Sequence, residues 1–332
     1  MSRRLPPLWD TPLGALLLAC LLVGLASLPL WVRASPEVAT LDYQLQARAL
    51  APGVWVVEGA NADFSTANGC NIINTGFIAT GDGVLVINTG TSRRYGEQLR
   101  ALIERTTREP VRQVLQLNLH PDYFLGNQAF ADVPRLATEA TRAGVAREAA
   151  AYETNLYRLC GDWMKGTQAL GPDTVLSVPP EGRRWRVGQR EFELLPLQGH
   201  TESDLVLIDR QSGVAFVGGL VFADRVPTTP HARVPEWLAS LDRLGAMGLR
   251  TVVPSHGPVH TGDQGLRQTR HYLQWLDGQF RRAASQGWEM NDLLRAPVPD
   301  EFRRWAAFDT EFVRNVAHLY PRYEREALQP GR

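Results

Sequence analysis

Four polar residues that could bind a metal ion stand in three separate parts of the sequence, each beside a glycine or proline. They are His120 and Asp122 in HPDYFLGN, His200 in QGHTESD and His256 in SHGP. Imidazole and carboxylate are ligands that zinc and related metals prefer. One histidine in a loop is usually a surface residue, but three histidines and a carboxylate in such loops favour a single metal site. The expected chemistry is metal-assisted hydrolysis.

These residues follow predicted strands. Short β-branched runs predict strands over 111–118, 190–197 and 250–253, which end just before His120, His200 and His256 respectively. Residues on loops at one edge of a sheet can converge although they lie far apart in sequence. The polar residues are therefore expected to meet at one edge.

The remaining pattern alternates strands and helices. Further strands are predicted over 53–59, 71–80, 84–88, 183–187, 204–209 and 214–217, and Gly81-Asp82-Gly83 predicts a hairpin turn. Helices are predicted from Thr91 or Ser92 to about 107, over 138–159, over 235–246, and from about 265 to the end. Two halves, each of strands followed by helices, predict an α/β (α+β) fold: a four-layer αββα sandwich with extra C-terminal helices.

Length and charge narrow the class of protein. The chain has 332 residues and 44% hydrophobic residues, enough for a full core. It carries 35 Lys+Arg against 35 Asp+Glu. Because a protein that binds nucleic acid usually shows a basic excess, nucleic acid is not an expected partner.

The first 34 residues are expected to direct export. Arg3 and Arg4 precede an apolar run, and Val32 and Ala34 form a small-x-small cleavage pattern, which predicts a cleaved signal over 1–34 before a domain over 35–332. An uncleaved membrane anchor over 13–32, a twin-arginine signal and a lipoprotein signal ending at Cys20 are the alternatives. Each alternative places the domain outside the cytoplasm.

Two cysteines remain once the signal is removed. Cys70 and Cys160 could form a disulfide in an oxidising compartment, but two separate buried thiols are equally compatible with the sequence.

The order of motifs resembles the metallo-β-lactamase superfamily. The resemblance rests on the strings VLVINTG, NLHPDYFLGN, QGHTESD, FVGGLVFADR and VVPSHGP. It is closest to a periplasmic SoxH-like branch, the quinoprotein relay system zinc metallohydrolases, through NLYRLCGDWM, FADRVPTTPHARVPEWLASLDRL and the C-terminal EFVRNVAHLYPRYERE. The resemblance implies hydrolysis of esters, thioesters, amides or phosphoesters with one or two zinc ions. It also implies a periplasmic location with quinoprotein or cytochrome partners.

The chain departs from the superfamily pattern at the metal loop. Where the pattern reads H-x-H-x-D-H, this sequence has Asn118 and Tyr123 in place of the first and last histidines. Gly219 stands where the metal-bridging Asp is usual, and Asn88 replaces the Asp of the D-T-G turn. Neither of the two usual metal sites is complete.

One zinc ion could still be held by His120, His200 and either Asp122 or His256. Asp122 would then orient or deprotonate a water molecule, while Asn118 or Tyr123 would donate a hydrogen bond to an oxyanion. The alternative is a metal-free accessory or ligand-binding protein of the same fold, and β-lactam hydrolysis is not expected. His231 either faces the pocket or caps the helix that begins near Pro235.

Overall fold

The computed structural model describes residues 41–329, so the expected signal or anchor over 1–34 lies outside the described residues. The strands are β1 Arg48–Ala51, β2 Val54–Val57, β3 Thr75–Ala79, β4 Val84–Ile87, β5 Val111–Leu115, β6 Arg135–Ala137, β7 Thr174–Val175, β8 Arg183–Val187, β9 Arg190–Leu197, β10 Asp204–Asp209, β11 Val214–Phe222, β12 Thr251–His256 and β13 His260–Thr261. The helices are α1 Arg93–Thr106, α2 Pro121–Phe124, α3 Glu139–Cys160, α4 Val234–Gly245, α5 Gln264–Ser285, α6 Met290–Arg295, α7 Asp300–Arg303 and α8 Phe308–Ala327.

The strands form two sheets. The first has the order β1-β2-β3-β4-β5-β6-β7, antiparallel up to β4 and parallel beyond it. The second has the order β13-β12-β11-β10-β9-β8, in which only β11 and β12 run parallel. Parallel neighbours need a crossover connection, which α1 and α4 supply.

The two sheets pack face to face. The buried layer between them takes aliphatic side chains from the first sheet, such as Leu85 and Leu115, and from the second, such as Leu194 and Phe216. Helix α1 covers the outer face of the first sheet, and helices α4, α5 and α8 cover that of the second. The expected four-layer αββα sandwich with extra C-terminal helices is confirmed.

The predicted helix ends are also observed. The Ser92 side chain accepts the Tyr95 N–H at the start of α1, and Thr138 accepts the Thr141 N–H at the start of α3. Gly161, at φ 56°, ends α3. A capping side chain replaces one of the hydrogen bonds that a helix terminus lacks, which is why these boundaries could be identified from the sequence.

One predicted strand is shorter in the structure. The strand expected over 71–80 covers only Thr75–Ala79, because the Asn74 side chain donates to the Pro254 and Gly257 carbonyls near the end of the second sheet instead of extending the ladder. The helices expected from about 265 to the end are observed as α5 to α8, which Gly287 and the Pro297-Val298-Pro299 run help to separate. In the part of the chain between residues 41 and 329, no helix is both long and apolar enough to cross a bilayer.

Candidate active site

The loops that follow β5 and β9 and the end of β12 bring the predicted residues together. His120 precedes the first residue of α2, Asp122 lies in the first turn of that helix, and both line one cavity together with His256. The ring of His200 packs edge-to-face against that of His120, with the two ring centroids 4.6 Å apart. The predicted convergence of the three histidines and the carboxylate is therefore observed.

One ring nitrogen of each of the three histidines lies within hydrogen-bond distance of a residue other than these histidines and Asp122. The Nδ1 atom of His200 donates to the Thr228 carbonyl oxygen at 3.1 Å, and Nδ1 of His256 donates to the Ile72 carbonyl oxygen at 2.8 Å. The Nε2 atom of His120 lies 2.9 Å from Nδ1 of His231. Metal-binding histidines are commonly fixed through their second nitrogen in this way, which sets ring orientation and tautomer.

The second ring nitrogen of each histidine faces another of these histidines or Asp122. Nδ1 of His120 lies 2.9 Å from Nε2 of His200, and Nε2 of His256 lies 3.5 Å from Oδ2 of Asp122. Oδ2 of Asp122 is buried, and among residues 41–329 it has no hydrogen-bond partner. A buried carboxylate oxygen without a donor is costly, and a cation would relieve that cost.

These donor types suit a metal ion, but the donors lie in two separate pairs. Within residues 41–329, no group of three or more His, Cys, Asp or Glu side chains is already arranged around a common metal position. His120 would have to exchange its hydrogen bond with His200 for a bond to the ion. Which of these residues bind a metal stays a prediction.

Burial dominates the electrostatics of the site. It lowers the pKa values of His120, His200 and His256 well below the ordinary histidine value, so all three are neutral and able to bind a metal. Burial also raises the pKa of Asp122 to about 7, while the nearby Arg225 guanidinium acts in the opposite direction. A carboxyl group with that pKa can take up and release a proton near neutrality.

Asn118 and Asn88 stabilise the loop before His120 through hydrogen bonds to its backbone. The Asn118 side chain accepts the His120 N–H at 2.9 Å and donates to Oδ1 of Asp204 at 3.3 Å. Asn88, at φ 58°, accepts the Leu117 N–H at 3.1 Å. Asn tolerates this left-handed conformation better than most residues.

Tyr123 is fully buried, and burial raises the pKa of its hydroxyl, while the neighbouring Ser255 and Asn118 side chains lower it. Its ring packs in the layer between the two sheets. Neither Tyr123 nor Asn118 lines the cavity. Their role as donors to an oxyanion stays a prediction.

Gly219 shows why a bridging carboxylate has no place here. A Cβ atom on Gly219 would overlap the imidazole ring of His200, which packs directly on the glycine. Asp224, five residues further along, is exposed, and its Oδ1 accepts the Gln268 side-chain N–H at 2.7 Å. Asp224 does not line the cavity and so does not replace the missing acid.

The cavity has a volume of about 390 Å³. His120, Asp122 and His256 share it with apolar side chains, among them Phe64 and Leu156. Three further polar residues, Glu311, Arg314 and His318, come from one face of α8, and Tyr152 comes from α3. Their spacing of three and four residues was visible in the sequence, but nothing in it indicated which face of the helix met the site.

A buried ion pair lies beside the site. The guanidinium of Arg225 is fully buried and lies 3.5 Å from the carboxylate of Glu311, which is itself 1% exposed. Arg225 donates to the Ala62 carbonyl oxygen, and its guanidinium lies 5.7 Å from the centre of the Phe222 ring. Sequence analysis missed this pair because nothing near Arg225 in the sequence indicates a partner 86 residues away.

A disulfide joins Cys70 and Cys160, whose Cα atoms are 5.9 Å apart. It links the loop that precedes β3 to the end of α3. Ile72, two residues after Cys70, accepts the His256 hydrogen bond, and Leu156 and Leu159, just before Cys160, line the cavity. Of the two alternatives for these cysteines, the structure has the disulfide.

Residues 68–256 match the family model described as the metallo-beta-lactamase superfamily, which is more than half of the chain. The chain belongs to the metallo-β-lactamase superfamily. Among solved structures it is similar to a metallo-beta-lactamase from Pontibacter korlensis, with a TM-score of 0.57 and 23% identity over 70% of this chain and 99% of that one. It is also similar to the FIM-1 metallo-beta-lactamase from Pseudomonas aeruginosa in its mono-zinc form, with a TM-score of 0.55 and 16% identity over 69% and 95% of the two chains. At these identities the likeness shows the fold alone.

Among curated proteins, this superfamily member is similar to a linear primary-alkylsulfatase from a Pseudomonas strain. The two are 18% identical over 275 residues, which is 71% of this chain. The chain spans about half the length of that relative, 52%.

Proposed function

We propose that this protein is an exported hydrolase that uses one metal ion, zinc, held by His120 and His200 with Asp122 or His256. The observation that carries the proposal is the orphaned Oδ2 atom of Asp122, which is buried at the cavity and faces Nε2 of His256. The outer nitrogens of all three histidines bond to other groups, so an ion would take the inner nitrogen of His256, or those of His120 and His200 in place of the hydrogen bond between them. Esters, lactones and thioesters are the proposed substrate classes.

The ion, Asp122 and the apolar wall of the cavity each have a separate role in the proposed hydrolysis. A bound zinc ion supplies Lewis acidity, which lowers the pKa of water towards neutrality. Asp122 orients the attacking water and takes its proton at a carboxylate oxygen. The apolar wall that includes Phe64 and Leu156 binds the organic part of the substrate and excludes other water molecules.

The proposed location is the periplasm, with residues 13–32 as an anchor if the signal is not cleaved. The Cys70–Cys160 disulfide supports export, because disulfides persist mainly in oxidising compartments. Partnership with a periplasmic quinoprotein or cytochrome system rests on the resemblance to the SoxH-like branch alone.

A second candidate is a metal-free accessory or ligand-binding protein of the same fold. It is favoured by the fact that His120 uses both ring nitrogens in hydrogen bonds to His200 and His231. A histidine satisfied in this way needs no ion, and the cavity could then bind a small ligand through the same polar groups.

The metal content of the full chain separates the two candidates. The protein is purified without chelator or added metal and measured by elemental mass spectrometry, beside the His120→Ala/His200→Ala double variant. The control is His271→Ala, whose exposed side chain contacts Glu301 rather than the site. About one zinc per chain that is lost only in the double variant is expected for the hydrolase.

Hydrolysis is then assayed on a simple ester, a lactone, a thioester and an alkyl sulfate, the last because of the alkylsulfatase relative. If wild type stays folded and takes up no zinc when zinc is offered, the hydrolase proposal is wrong and the accessory protein is left.

A further inference from the structure

Within residues 41–329, Arg314 is the one arginine or lysine that lines the cavity. It lies on α8, outside residues 68–256 that match the family model, so the match assigns it no role. Its side chain is 38% exposed. Its Nη1 atom donates to Oδ1 of Asp63 at 2.9 Å and to Oε1 of Glu311 at 3.0 Å. One nitrogen of the guanidinium therefore fixes the side chain between α8 and the loop that precedes β3.

The rest of the Arg314 guanidinium is free to bind a ligand. In the described part of the chain, neither its Nε nor its Nη2 atom makes a hydrogen bond. A guanidinium presents five N–H groups in a planar fork. Its Nε–Nη2 edge matches the two oxygens of a carboxylate, which can accept two parallel hydrogen bonds from it.

The acidic neighbours of Arg314 do not give the cluster a net negative charge. Fully buried Arg225 lies 3.5 Å from Glu311, so two guanidinium groups face the two carboxylates of Asp63 and Glu311. Burial raises the pKa of Glu311, which disfavours its negative charge. Partial burial lowers the pKa of Arg314, but its bonds to Asp63 and Glu311 outweigh that effect and raise the value, so Arg314 stays charged. These four groups together are neutral or positive.

Arg314 and the predicted metal-binding residues line the same cavity. Glu311, Arg314 and His318 recur at three and four residues, which places them on one face of α8 over about 10 Å. The cavity volume of about 390 Å³ suits a small organic molecule. A molecule that fills it contacts Asp122 and Arg314 together.

We propose that Arg314 determines specificity by binding a carboxylate on the substrate, so that the hydrolysed molecules are esters, lactones or thioesters that carry a carboxylate. The carboxylate accepts two hydrogen bonds from the Nε–Nη2 edge of Arg314, while the bond to be hydrolysed lies beside His120, Asp122 and His256. A singly charged group suits this cluster better than a phosphate dianion, because Asp63 and Glu311 already balance part of the positive charge. The part that concerns hydrolysis rests on the proposed function, whereas carboxylate binding does not.

Two variants separate ligand binding from a purely structural role of Arg314. Arg314→Gln removes the charge and the Nε–Nη2 edge. Asp63→Asn weakens the same link between the loop and α8 but leaves the guanidinium in place. Circular dichroism verifies that each variant folds, and Arg314→Lys, which keeps the charge without the planar fork, replaces Arg314→Gln if that one does not.

The first measurement is calorimetric binding of hexanoate and of uncharged hexanamide to the full chain after metal removal, since zinc would itself bind a carboxylate. Wild type should bind hexanoate roughly 10- to 100-fold more tightly, the usual effect of hydrogen bonds between charged groups. Arg314→Gln should lose this preference, and Asp63→Asn should keep or increase it. The inference is overturned if wild type shows no preference for hexanoate, if Arg314→Gln keeps the preference, or if Asp63→Asn loses it equally.

The second measurement is hydrolysis by zinc-loaded protein of the monomethyl ester of adipic acid, which carries a carboxylate, beside the dimethyl ester, which does not. Wild type should favour the monomethyl ester in kcat/KM by roughly 10- to 100-fold, mainly through KM, and Arg314→Gln should not. Equal kcat/KM values for the two esters in wild type would contradict the role in specificity. Hydrolysis of neither ester counts against the proposed function, and the calorimetry still decides whether Arg314 binds a carboxylate.

Discussion

The imidazole ring of His200 packs directly against the backbone of Gly219, in the space that a β-carbon at position 219 would need. Gly219 stands where related sequences place an acid that bridges two metal ions. The His200 ring therefore occupies the space that any side chain at position 219 would need, and we expect that a substitution at 219 alone creates no metal site.

Gly219→Ala is expected to lower the free energy of unfolding by about 1–3 kcal/mol, because the added carbon must displace the His200 ring. Gly219→Asp is expected to cost at least as much and to bind no additional zinc. Urea unfolding and metal content measure the two effects.

The matched control for this prediction is Gly245→Ala. A Cβ atom there meets nothing within 4 Å. Its stability should equal or slightly exceed that of wild type. If the Gly219→Asp protein binds one more zinc ion per chain than wild type, the His200 ring can move out of the space beside position 219, and the prediction is wrong.

Asp204 should make the metal-free protein less stable as the pH rises. Burial raises its pKa from the ordinary aspartate value of 3.8 to about 7, so the native state holds a proton that the unfolded chain has lost. That contribution is complete below about pH 4 and disappears as the pH rises through 7. Between pH 5 and pH 8, wild type should lose about 2 kcal/mol relative to Asp204→Asn, which cannot ionise.

The measurement is urea unfolding of both proteins at both pH values. The buried histidines change stability in the opposite sense over part of this range, but they are common to both proteins and cancel in the comparison. Asp82→Asn, in an exposed turn, is the control and should follow wild type. Parallel pH profiles for wild type and Asp204→Asn would contradict the prediction.

The disulfide is expected to stabilise both the fold and the site. It closes a loop with a sequence separation of 90 residues, and its loss should lower the free energy of unfolding by roughly 2–5 kcal/mol. Zinc affinity should fall as well, because Ile72, which orients His256, follows Cys70 closely. The experiment compares wild type with Cys70→Ser/Cys160→Ser by thermal unfolding and zinc titration, with and without reductant.

Reductant should lower the wild-type melting temperature towards that of the double variant and leave the variant itself unchanged. If reduced wild type and the variant match oxidised wild type in stability, the bridge contributes nothing to the fold.

Arg225 and Glu311 should show strong coupling in a double-mutant cycle. Both side chains are buried, so removal of one leaves the other as an uncompensated charge, at a cost of about 3–5 kcal/mol. Arg225→Met and Glu311→Gln are each expected to destabilise strongly, and the double variant less than the sum of the two. Arg314, which also bonds to Glu311 at 3.0 Å, lessens the effect of Arg225→Met alone.

Chemical unfolding of the four proteins gives the coupling energy. The cycle for the exposed pair Arg322 and Glu326 is the control, and it should give no more than a few tenths of a kcal/mol. Additive effects at Arg225 and Glu311 would mean that the two charges are stabilised separately.

The sequence by itself determined the architecture and most of the site. β-branched runs, capping residues such as Ser92 and Thr138, and glycine turns act over a few residues, and so they predict strands and helices directly. The strand ends then predict where His120, His200 and His256 converge. Asn118 and Gly219 also predict, from the resemblance to the superfamily, that the usual pair of metal sites is incomplete.

Only the tertiary structure decided what surrounds those residues. His231, Arg225 and the polar face of α8 reach the site through packing between elements far apart in the chain, and local sequence carries no signal for such contacts. The same holds for the burial that raises the pKa of Asp122 and for the pairing of Cys70 with Cys160. Burial and hydrogen-bond geometry depend on the assembled layers, since the solvent excluded from a side chain is set by all its neighbours at once.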